Sequence, residues 1–379
     1  MADVTVVGAG PVGMLLAGDL AQRGVDVEVL ERRPAAGGGS RAIGVHAPVL
    51  AALEPSGVTE RLLAHAVRVR RGEARSRGRT LGVVRFEALS ARFPFVATLP
   101  QAATEAVLAA DAPEPVRGAK VMTVLPRPDG VLVRAGVRGG VTERISRIVV
   151  VASGSGGRDL VYRSGLVRAH EYRDRYLMTD AEAPGHPDGD TAVVHLDATG
   201  VLESFPLPAG RRRFVAWDAA GADPEPHARA DRLRGALRQR GEDAAAEAVE
   251  TAIGFGVRRV VAPRLRNGRV LVIGDAAHEV SPIGGQGMNL GLLDAATLAP
   301  LLADWVRTGV VPDAELRRWE RRRVTAARRA ARLAAVNTAL GRPLPRTDPL
   351  RRAAVRAMLT PPADRLFAHA YAMGLDPGA

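Results

Sequence analysis

The chain has 379 residues and no cysteine, which excludes disulfides, zinc–thiolate sites, iron–sulfur clusters and thiol nucleophiles. Hydrophobic residues make up 46% and charged residues 25%, the balance of an ordinary globular protein with room for about two to three domains. The formal net charge is +12, and the basic residues are arginines spread along the chain, with Lys120 the single lysine. Because the arginines are spread out and only 4% of the residues are aromatic, we expect no nucleic-acid partner.

The first predicted element is a buried strand at residues 4–7, followed by a turn that contains three glycines. Gly8, Gly10 and Gly13 have the spacing G-x-G-x-x-G. In that spacing the first glycine permits a tight turn, the second lets the backbone approach a pyrophosphate, and the third lets helix and strand pack closely. A second strand ends on Glu31, where a carboxylate can accept hydrogen bonds from ribose hydroxyls. Together with the amino-terminus of the following helix, which favours phosphate, the pattern predicts a dinucleotide site.

The next stretch alternates between short helices and strands. A glycine-rich loop leads to Arg41, which either reaches a phosphate or the substrate, or is a solvated loop arginine. Residues 47–53 predict a helix, the arginine-rich residues 66–97 predict strands of a second domain, and residues 121–137 predict a hairpin. Residues 148–151 form a third apolar strand. We expect it to return to the first sheet, because it ends on a glycine-rich turn.

Residues 172–262 predict a β-rich region that closes over a substrate, interrupted by one helix from Ala228 to Ile253. After this region a strand ends on Gly274-Asp275, a position suited to bind a ligand hydroxyl. Residues 284–289 lead into a helix predicted at 290–303 and offer N–H groups to an oxyanion or a flavin carbonyl. A last long helix is predicted from Asp313 to Leu340, with an apolar stripe that we assign to core packing.

Three sequence elements together resemble one known family. They are the glycine fingerprint with Glu31, the segment Ser40-Arg41-Ala42 with Gln101, and Gly274-Asp275 with residues 282–289. The set resembles the flavin-dependent aromatic hydroxylases, single-component monooxygenases similar to p-hydroxybenzoate hydroxylase. Within that family, the chain looks most like the branch that acts on aromatic polyketides in actinomycetes.

The resemblance implies an α/β fold, with a Rossmann-like FAD-binding domain built on a parallel sheet and an inserted β-rich substrate domain. The FAD-binding domain is expected at residues 1–72, 98–172 and 263–300. The substrate domain is expected at 73–97 and 173–262, and C-terminal helices at 301–379. The implied reaction hydroxylates an aromatic or polyketide-type natural-product intermediate: NADPH reduces FAD, O2 gives a flavin C4a-hydroperoxide, and an electron-rich aromatic carbon attacks its distal oxygen.

By the same resemblance, the pyrophosphate of FAD is held at the glycine fingerprint, its adenosine ribose at Glu31, its ribityl or ribose at Asp275, and its ring along residues 282–289. The expected cofactor-binding residues are Gly8, Gly10, Pro11, Val12, Gly13, Glu31, Arg32, Arg41, Gln101, Asp275, Pro282, Gly285, Gly287, Met288 and Asn289. The sequence identifies no catalytic residue. The eight histidines lack H-x-x-x-H and H-E-x-x-H spacings, so we expect no metal site.

One position departs from the family pattern. The Asp-Gly motif that usually follows the third strand, tied to both FAD and NADPH binding, is Ser153-Gly154 here. The departure leaves a second interpretation open, in which the protein binds flavin and acts as a non-redox cyclase. A flavin halogenase is disfavoured because Trp217, Trp305 and Trp319 stand apart, and a plain NAD dehydrogenase leaves residues 274–289 unexplained.

The remaining expectations concern partners and location. We expect a small aromatic or polyketide substrate, O2 as co-substrate, and a monomer or homodimer. The start of the chain carries Asp3 rather than a basic region, and no stretch is long and apolar enough to span a bilayer. From these two features we expect no membrane partner and a soluble, cytoplasmic protein.

Overall fold

The structure is a computed structural model that describes residues 1–35, 37, 42–88, 92–163, 165–361 and 363. Within these residues the strands are β1 (Val4–Val7), β2 (Val27–Glu31), β3 (Gly44–Val45), β4 (Val67–Val69), β5 (Arg71–Ser76), β6 (Arg79–Arg85), β7 (Val96–Thr98), β8 (Val116–Arg117), β9 (Lys120–Pro126), β10 (Val131–Val137), β11 (Gly140–Ser146), β12 (Ile148–Val151), β13 (His170–Glu182), β14 (Ala192–Asp197), β15 (Gly200–Leu207), β16 (Arg211–Asp218), β17 (Ile253–Val261), β18 (Arg266–Asn267), β19 (Val270–Val272) and β20 (His278–Glu279). The α-helices are α1 (Pro11–Gln22), α2 (Ala47–Leu53), α3 (Val58–Leu63), α4 (Gln101–Ala109), α5 (Pro226–Arg238), α6 (Asp243–Glu247), α7 (Gln286–Thr308), α8 (Asp313–Leu340) and α9 (Asp348–Met358).

A six-stranded sheet in the order β18-β19-β12-β1-β2-β8 forms the base of the molecule. Its strands are parallel except for β18 at one edge. Val6 of β1 lies opposite Val150 of β12 and Val29 of β2, and all three are buried. A parallel sheet covered on both faces requires such continuous apolar strands. The expectation that residues 148–151 return to the first sheet is therefore confirmed.

Helices α1 and α7 pack against each other beside this sheet at backbone distance. Where the helices meet, a Cβ at Gly291 of α7 would lie 2.6 Å from Cγ2 of Val12 of α1. At the start of α1, a Cβ at Gly13 would lie 2.0 Å from the carbonyl oxygen of Gly8 in the preceding turn. Only glycine permits these approaches. The close packing places the amino-terminus of each helix near the carboxyl edge of the parallel sheet.

An eight-stranded sheet in the order β20-β17-β13-β16-β15-β14-β5-β6 forms the second layer. One face packs on α5 and α6 through Leu202, Phe214 and Leu233. The other face carries Tyr176, Val201 and Val215 and contacts the C-terminal helix α9. The parallel pairing of β14 with β5 joins two regions that are far apart in the sequence. The domain boundaries given above stay a prediction.

The structure corrects three sequence expectations about elements. The single helix predicted from Ala228 to Ile253 is wrong: α5 ends at Arg238, α6 is a separate short helix, and Ile253 begins β17. Gly241, with a φ of +77°, turns the chain between the two helices, as glycine does at such positions. The hairpin at 121–137 gains a third strand, β11, and α7 extends beyond both predicted ends.

Candidate active site

A cavity of about 880 Å³ lies between the carboxyl edge of the parallel sheet and the inner face of the eight-stranded sheet. Ligands of open α/β sheets bind at this edge, and the volume is that of a typical ligand site. Val7, Glu31, Ser153 and Gly274 line the cavity, each at or just after the end of a different parallel strand. A single space therefore runs from the glycine fingerprint to the second sheet.

The fingerprint turn leaves the amino-terminus of α1 open to the cavity. Gly10 is the N-cap of this helix, with an extended backbone and no side-chain capping bond, and a Cβ built on it would meet no atom within 4 Å. Gly8 has a φ of +112°, and a Cβ there would lie 2.6 Å from the carbonyl oxygen of Ala152. The first N–H groups of a helix lack intrahelical partners, so this open end can bind an anion.

Glu31 lies at the end of β2, next to the same turn. Its carboxylate accepts hydrogen bonds from the backbone N–H of Ala9 at 2.7 Å and of Arg33 at 2.8 Å, and from Nε of Arg33 at 3.0 Å. Burial works to raise the pKa of Glu31, but these hydrogen bonds outweigh it and lower the pKa below its ordinary value. The charged carboxylate thus orders the turn, and its one remaining lone pair can accept a ligand hydroxyl.

Ser153 follows β12 and lines the cavity beside Gly154 and Gly156. Its hydroxyl oxygen is buried and has no hydrogen-bond partner among the residues that the structure describes. Nearby, Nη2 of Arg158 donates to the carbonyl oxygen of Asp275 at 2.7 Å and to Glu279 at 2.8 Å. Asp275 itself is exposed and lines the cavity. The Ser153 hydroxyl packs against Gly157, where an added Cβ would lie 2.0 Å from its Oγ.

A second open helix end, that of α7, also faces the cavity. Its N-cap is Gly285, which has a φ of 67° and no side-chain capping bond. The His46 side chain lies nearby, since a Cβ at Gly285 would be 3.6 Å from its Nε2. Burial lowers the pKa of His46 to about 4, so the imidazole is neutral at physiological pH. The cap residue is a glycine, so no side chain of its own neutralises the positive end of the α7 dipole. This end therefore favours an electron-rich ligand oxygen.

Asn289 and Gln101 position loops around this end of the cavity. The amide of Asn289 accepts a hydrogen bond from the backbone N–H of His46 at 2.8 Å and donates to the carbonyl oxygen of Gly44 at 2.8 Å. The amide of Gln101 accepts from the N–H of Ala42 at 3.3 Å. Both side chains thus hold the segment that follows Arg41. Arg41 itself lies outside the described residues.

A buried charged triad supports the turn that carries Asp275. Asp294 of α7 accepts from the backbone N–H of Gly274 at 3.0 Å, lies 2.6 Å from Nε2 of His278, and pairs with Nε of Arg323 at 2.7 Å. Burial works to raise the pKa of Asp294, but the two facing side chains outweigh it and lower the pKa. A paired, hydrogen-bonded carboxylate is the one form in which an ionised acid can be stably buried.

The far half of the cavity is apolar. Its lining includes Val194, Leu196, Val201, Phe205 and Val215 of the eight-stranded sheet, Ile283, and Val355 and Leu359 from the C-terminal end. Glu203 of β15 lies among these apolar side chains and is only 5% exposed. Glu73 and Arg213 of the same sheet also line the cavity, but they are paired with Arg75 and Asp180. Burial raises the pKa of Glu203 to about 8. The apolar lining suits a flat apolar ligand, and the Glu203 carboxyl group can hydrogen-bond a polar group of that ligand.

Most of the predicted site residues meet at this cavity. The lining includes Gly8, Gly10, Pro11, Val12, Glu31, Arg32, Gln101, Asp275, Pro282, Gly285, Gly287 and Met288. Gly13 and Asn289 do not line the cavity. Gly13 packs against the turn at Gly8, and Asn289 holds the backbone at Gly44 and His46. The sequence interpretation missed Glu203 as a site residue. The available signal was an acid in the middle of an apolar strand, which is uncommon because burying a charge is costly.

One cluster of metal-ligand side chains lies away from the cavity lining. Ligand atoms of His186, Asp188 and Glu242 come within 4.8 Å of one another. Arg75 already donates to both carboxylate oxygens of Asp188, at 2.9 and 2.5 Å, and Nε2 of His186 lies 2.8 Å from Glu242. Because these groups neutralise one another, and a guanidinium would repel a cation, we assign no metal to them.

Comparison with known proteins agrees with this geometry. Residues 1–334 match the model of a protein family described as an FAD binding domain. Fit to this cofactor is supported by the open cradle at Gly10 and the size of the cavity. Among the described residues, no helix combines the length and the apolar character that a membrane crossing requires.

Three similar proteins illustrate the range of the family. The chain is 33% identical to a 6-methylpretetramide 4-monooxygenase of Streptomyces rimosus, over 80% of this chain but only 56% of that protein. It is 30% identical to a 12-dehydrotetracycline 5-monooxygenase/anhydrotetracycline 6-monooxygenase of the same species, over 97% of this chain and 75% of that protein. A solved Diels–Alderase of pyrroindomycin biosynthesis is 26% identical with a TM-score of 0.78, covering 98% of this chain and 80% of that one.

Proposed function

This chain belongs to the family of FAD-dependent aromatic hydroxylases, and from that premise we propose that it is a monooxygenase that hydroxylates an aromatic or polyketide-type intermediate. The balanced reaction would convert an aromatic C–H to C–OH, consuming O2, NADPH and a proton and releasing water and NADP⁺. The relatives named above, which are monooxygenases of tetracycline-type substrates, support the substrate class.

The observation that carries the proposal is the continuity of the cavity. Its polar end has two open helix amino-termini, and its other end is the apolar face of the eight-stranded sheet. A dinucleotide and a flat apolar substrate can therefore occupy one water-poor space, as a reaction between them requires. When bound, FAD would supply the redox and oxygen-transfer chemistry.

The residues of this chain would divide the remaining tasks. The N–H groups at the start of α1 would bind the pyrophosphate, with Gly10 leaving room for it. The ribose hydroxyls would donate to Glu31, and Asp275 would bind the ribityl or the second ribose. The start of α7 at Gly285 would stabilise negative charge that develops on the ring oxygens. The apolar sheet face would orient the substrate and exclude water.

A second candidate, a flavin-bound cyclase without net redox chemistry, has two supporting observations. Ser153 replaces the acid that the family motif carries, and its hydroxyl lacks a partner among the described residues. A solved protein of the same fold is a Diels–Alderase. In this case the apolar cavity would fold a flexible polyene or polyketide chain, and NADPH would have no role.

The two candidates are separated by three measurements on the purified protein. A yellow protein that releases FAD on denaturation tests cofactor binding. Anaerobic stopped-flow mixing with NADPH, with and without a polycyclic phenol, tests reduction. Mass spectrometry after turnover under ¹⁸O2 tests oxygen insertion. We expect substrate-stimulated reduction and one labelled oxygen in the product.

The outcomes that oppose the proposal are equally definite. A colourless protein that cannot be reconstituted with FAD would contradict both candidates. FAD binding without reduction by NADPH, together with substrate conversion in its absence, would establish the cyclase. Hydroxylated product whose oxygen comes from water would exclude a monooxygenase.

A further inference from the structure

Glu203 sits at the centre of the face that lines the apolar half of the cavity. Alternate residues of a strand face opposite sides. Val201, Glu203 and Phe205 accordingly line the cavity, while Ser204 points away and accepts from Nε of Arg212 at 2.9 Å. Strands β14 and β16 flank β15 on its two sides. The carboxyl group therefore projects from the middle of the sheet into the cavity.

The cross-strand neighbours of Glu203 are apolar. In register it lies opposite Val194 of β14 and Val215 of β16, both of which also line the cavity. Among the described residues, no hydrogen bond or ion pair reaches its carboxyl group, and the group lines the cavity. An isolated buried carboxylate is costly, and such a group holds its proton instead.

The charged and titratable side chains around Glu203 are paired with other groups or stay neutral. Arg213 on β16 is committed to Asp180, with hydrogen bonds of 2.5 and 2.7 Å. On β5, Glu73 is paired with Arg75 at 2.7 Å. On β13, burial, and then the charges of Asp174 and Glu203, raise the pKa of the Tyr176 hydroxyl, so Tyr176 stays neutral wherever Glu203 titrates.

A buried acid of this kind does nothing for folding. Replacement of a buried, unpaired polar group by an apolar one of similar size is usually neutral or stabilising. Residues that break the local packing rule without a structural gain are expected at functional sites. The fold offers Glu203 no partner, so the natural partner is the ligand of the cavity.

We propose that the neutral carboxylic acid of Glu203 donates a hydrogen bond to a carbonyl or phenolic oxygen of a flat polycyclic substrate and so fixes its orientation on the sheet. The inference rests on the proposed function, because it concerns the substrate half of the same cavity. It narrows the substrate class to fused aromatic ligands with an uncharged oxygen acceptor on the ring system. A ligand with a carboxylate at that place would be rejected, since Glu203 would meet like charge on ionisation.

The test compares two tricyclic probes that differ by one oxygen. Xanthone carries a ring carbonyl, xanthene has none, and neither ionises in the range used. Their dissociation constants are measured by calorimetry with the FAD-loaded enzyme at pH 6.5 and pH 9. For the wild type at pH 6.5 we expect xanthone to bind about tenfold more tightly than xanthene. At pH 9 that preference should disappear, because burial raises the pKa of Glu203 to about 8 and the acid then loses its donor proton.

Three variants separate this role from a structural one. Glu203→Leu should abolish the preference for xanthone at both pH values. Glu203→Gln keeps an N–H donor and should retain the preference, within about threefold, at both pH values. Glu182→Gln, an exposed position on β13 of the same sheet, should behave as the wild type. FAD content should be unchanged in all three, and anaerobic reduction by NADPH should be unchanged in Glu182→Gln.

The failure of this inference is distinguishable from failure of the proposed function. If xanthone and xanthene bind equally to the wild type at pH 6.5, or if neither binds, the role of Glu203 is overturned even when FAD is bound and reduced. A preference that survives in Glu203→Leu overturns it as well. An enzyme that binds FAD but is not reduced by NADPH counts against the proposed function only, since the probes are measured on the oxidised, FAD-loaded enzyme. A protein that cannot be loaded with FAD counts against both.

Discussion

The two halves of the cavity are built in different ways. The cofactor half is made of backbone N–H groups and turns, each contributed by residues that are consecutive in the chain, such as Gly8–Gly13. The substrate half is made of alternate side chains from strands far apart in sequence, such as Ala74, Val194 and Phe255. A substitution in the cofactor half therefore changes binding by crowding the backbone of a turn. In the substrate half, a substitution changes binding only if its side chain is on the strand face that lines the cavity.

The two halves also respond to pH in opposite directions. Asp294, which supports the cofactor half, has a lowered pKa, so its contribution to stability is present above the unfolded value of 3.8 and is lost as the pH falls through the folded value. Glu203 has a raised pKa, so the folded state loses stability as the pH rises. Acid therefore weakens the first half and base the second.

The largest effect on cofactor binding is expected from Gly10→Val. The backbone at Gly10 is extended and the space beyond it is open, so the variant should fold while its side chain occupies the volume of the pyrophosphate. FAD affinity should fall more than about 100-fold, which is about 2.7 kcal/mol. Equilibrium dialysis measures it. Gly235→Val is the matched control, since it also meets no atom within 4 Å and does not line the cavity. Normal FAD affinity in Gly10→Val would show that the pyrophosphate does not bind at the fingerprint turn.

The largest effect on the free energy of unfolding is expected from Asp294→Ala. The change leaves Arg323 buried without its carboxylate and removes the acceptor of the Gly274 N–H. We expect a loss of about 3–5 kcal/mol, measured by urea denaturation of the apoprotein at pH 7 and smaller below pH 4. Asp304→Ala on the same helix breaks only the exposed pair with Arg307 and should change stability by less than about 0.5 kcal/mol. Equal effects from the two variants would show that the triad does not anchor the turn.

The pH response of the substrate half is tested by Glu203→Gln. Between the unfolded pKa of 4.5 and the folded value of about 8, only the folded wild type keeps the proton, so its stability falls with rising pH relative to the variant. The difference between the two should grow by about 2–4 kcal/mol across that range. Parallel denaturation curves at pH 5, 6.5 and 8 measure it. A difference that is independent of pH would mean that Glu203 is solvated or paired.

The smallest effect is expected from Ser153→Asp. A carboxylate at this place would restore the charge-assisted hydrogen bonds that the family motif provides, about 1–2 kcal/mol or roughly five- to thirty-fold. We expect tighter FAD binding or faster anaerobic reduction by NADPH, measured by stopped flow. Ser153→Asn has the same size without the charge and serves as the control. If the asparagine and aspartate variants are equally fast, charge at residue 153 has no part in cofactor binding.

The elements that the sequence predicted best are those whose signal is local. The strand–glycine turn–helix unit at Val4–Gln22 has its strand, its turn residues and its helix in one continuous run. Residues 313–340 form α8 at the predicted bounds, because a long amphipathic stripe is a strong periodic signal. The predicted helix from Ala228 to Ile253 is wrong because Gly241, with a φ of +77°, turns the chain between α5 and α6.

By itself, the sequence determined the α/β class, the phosphate-binding turn, the edge of the sheet at which a ligand binds and the family. Only the tertiary structure decided that Glu203 faces an apolar cavity rather than a partner, and that Asp294 lies in a buried triad rather than on a solvated helix face. The physical reason is that a turn is defined by its own backbone, whereas the environment of a side chain is set by distant strands and helices. Burial, and the pKa that follows from it, is a property of that assembly.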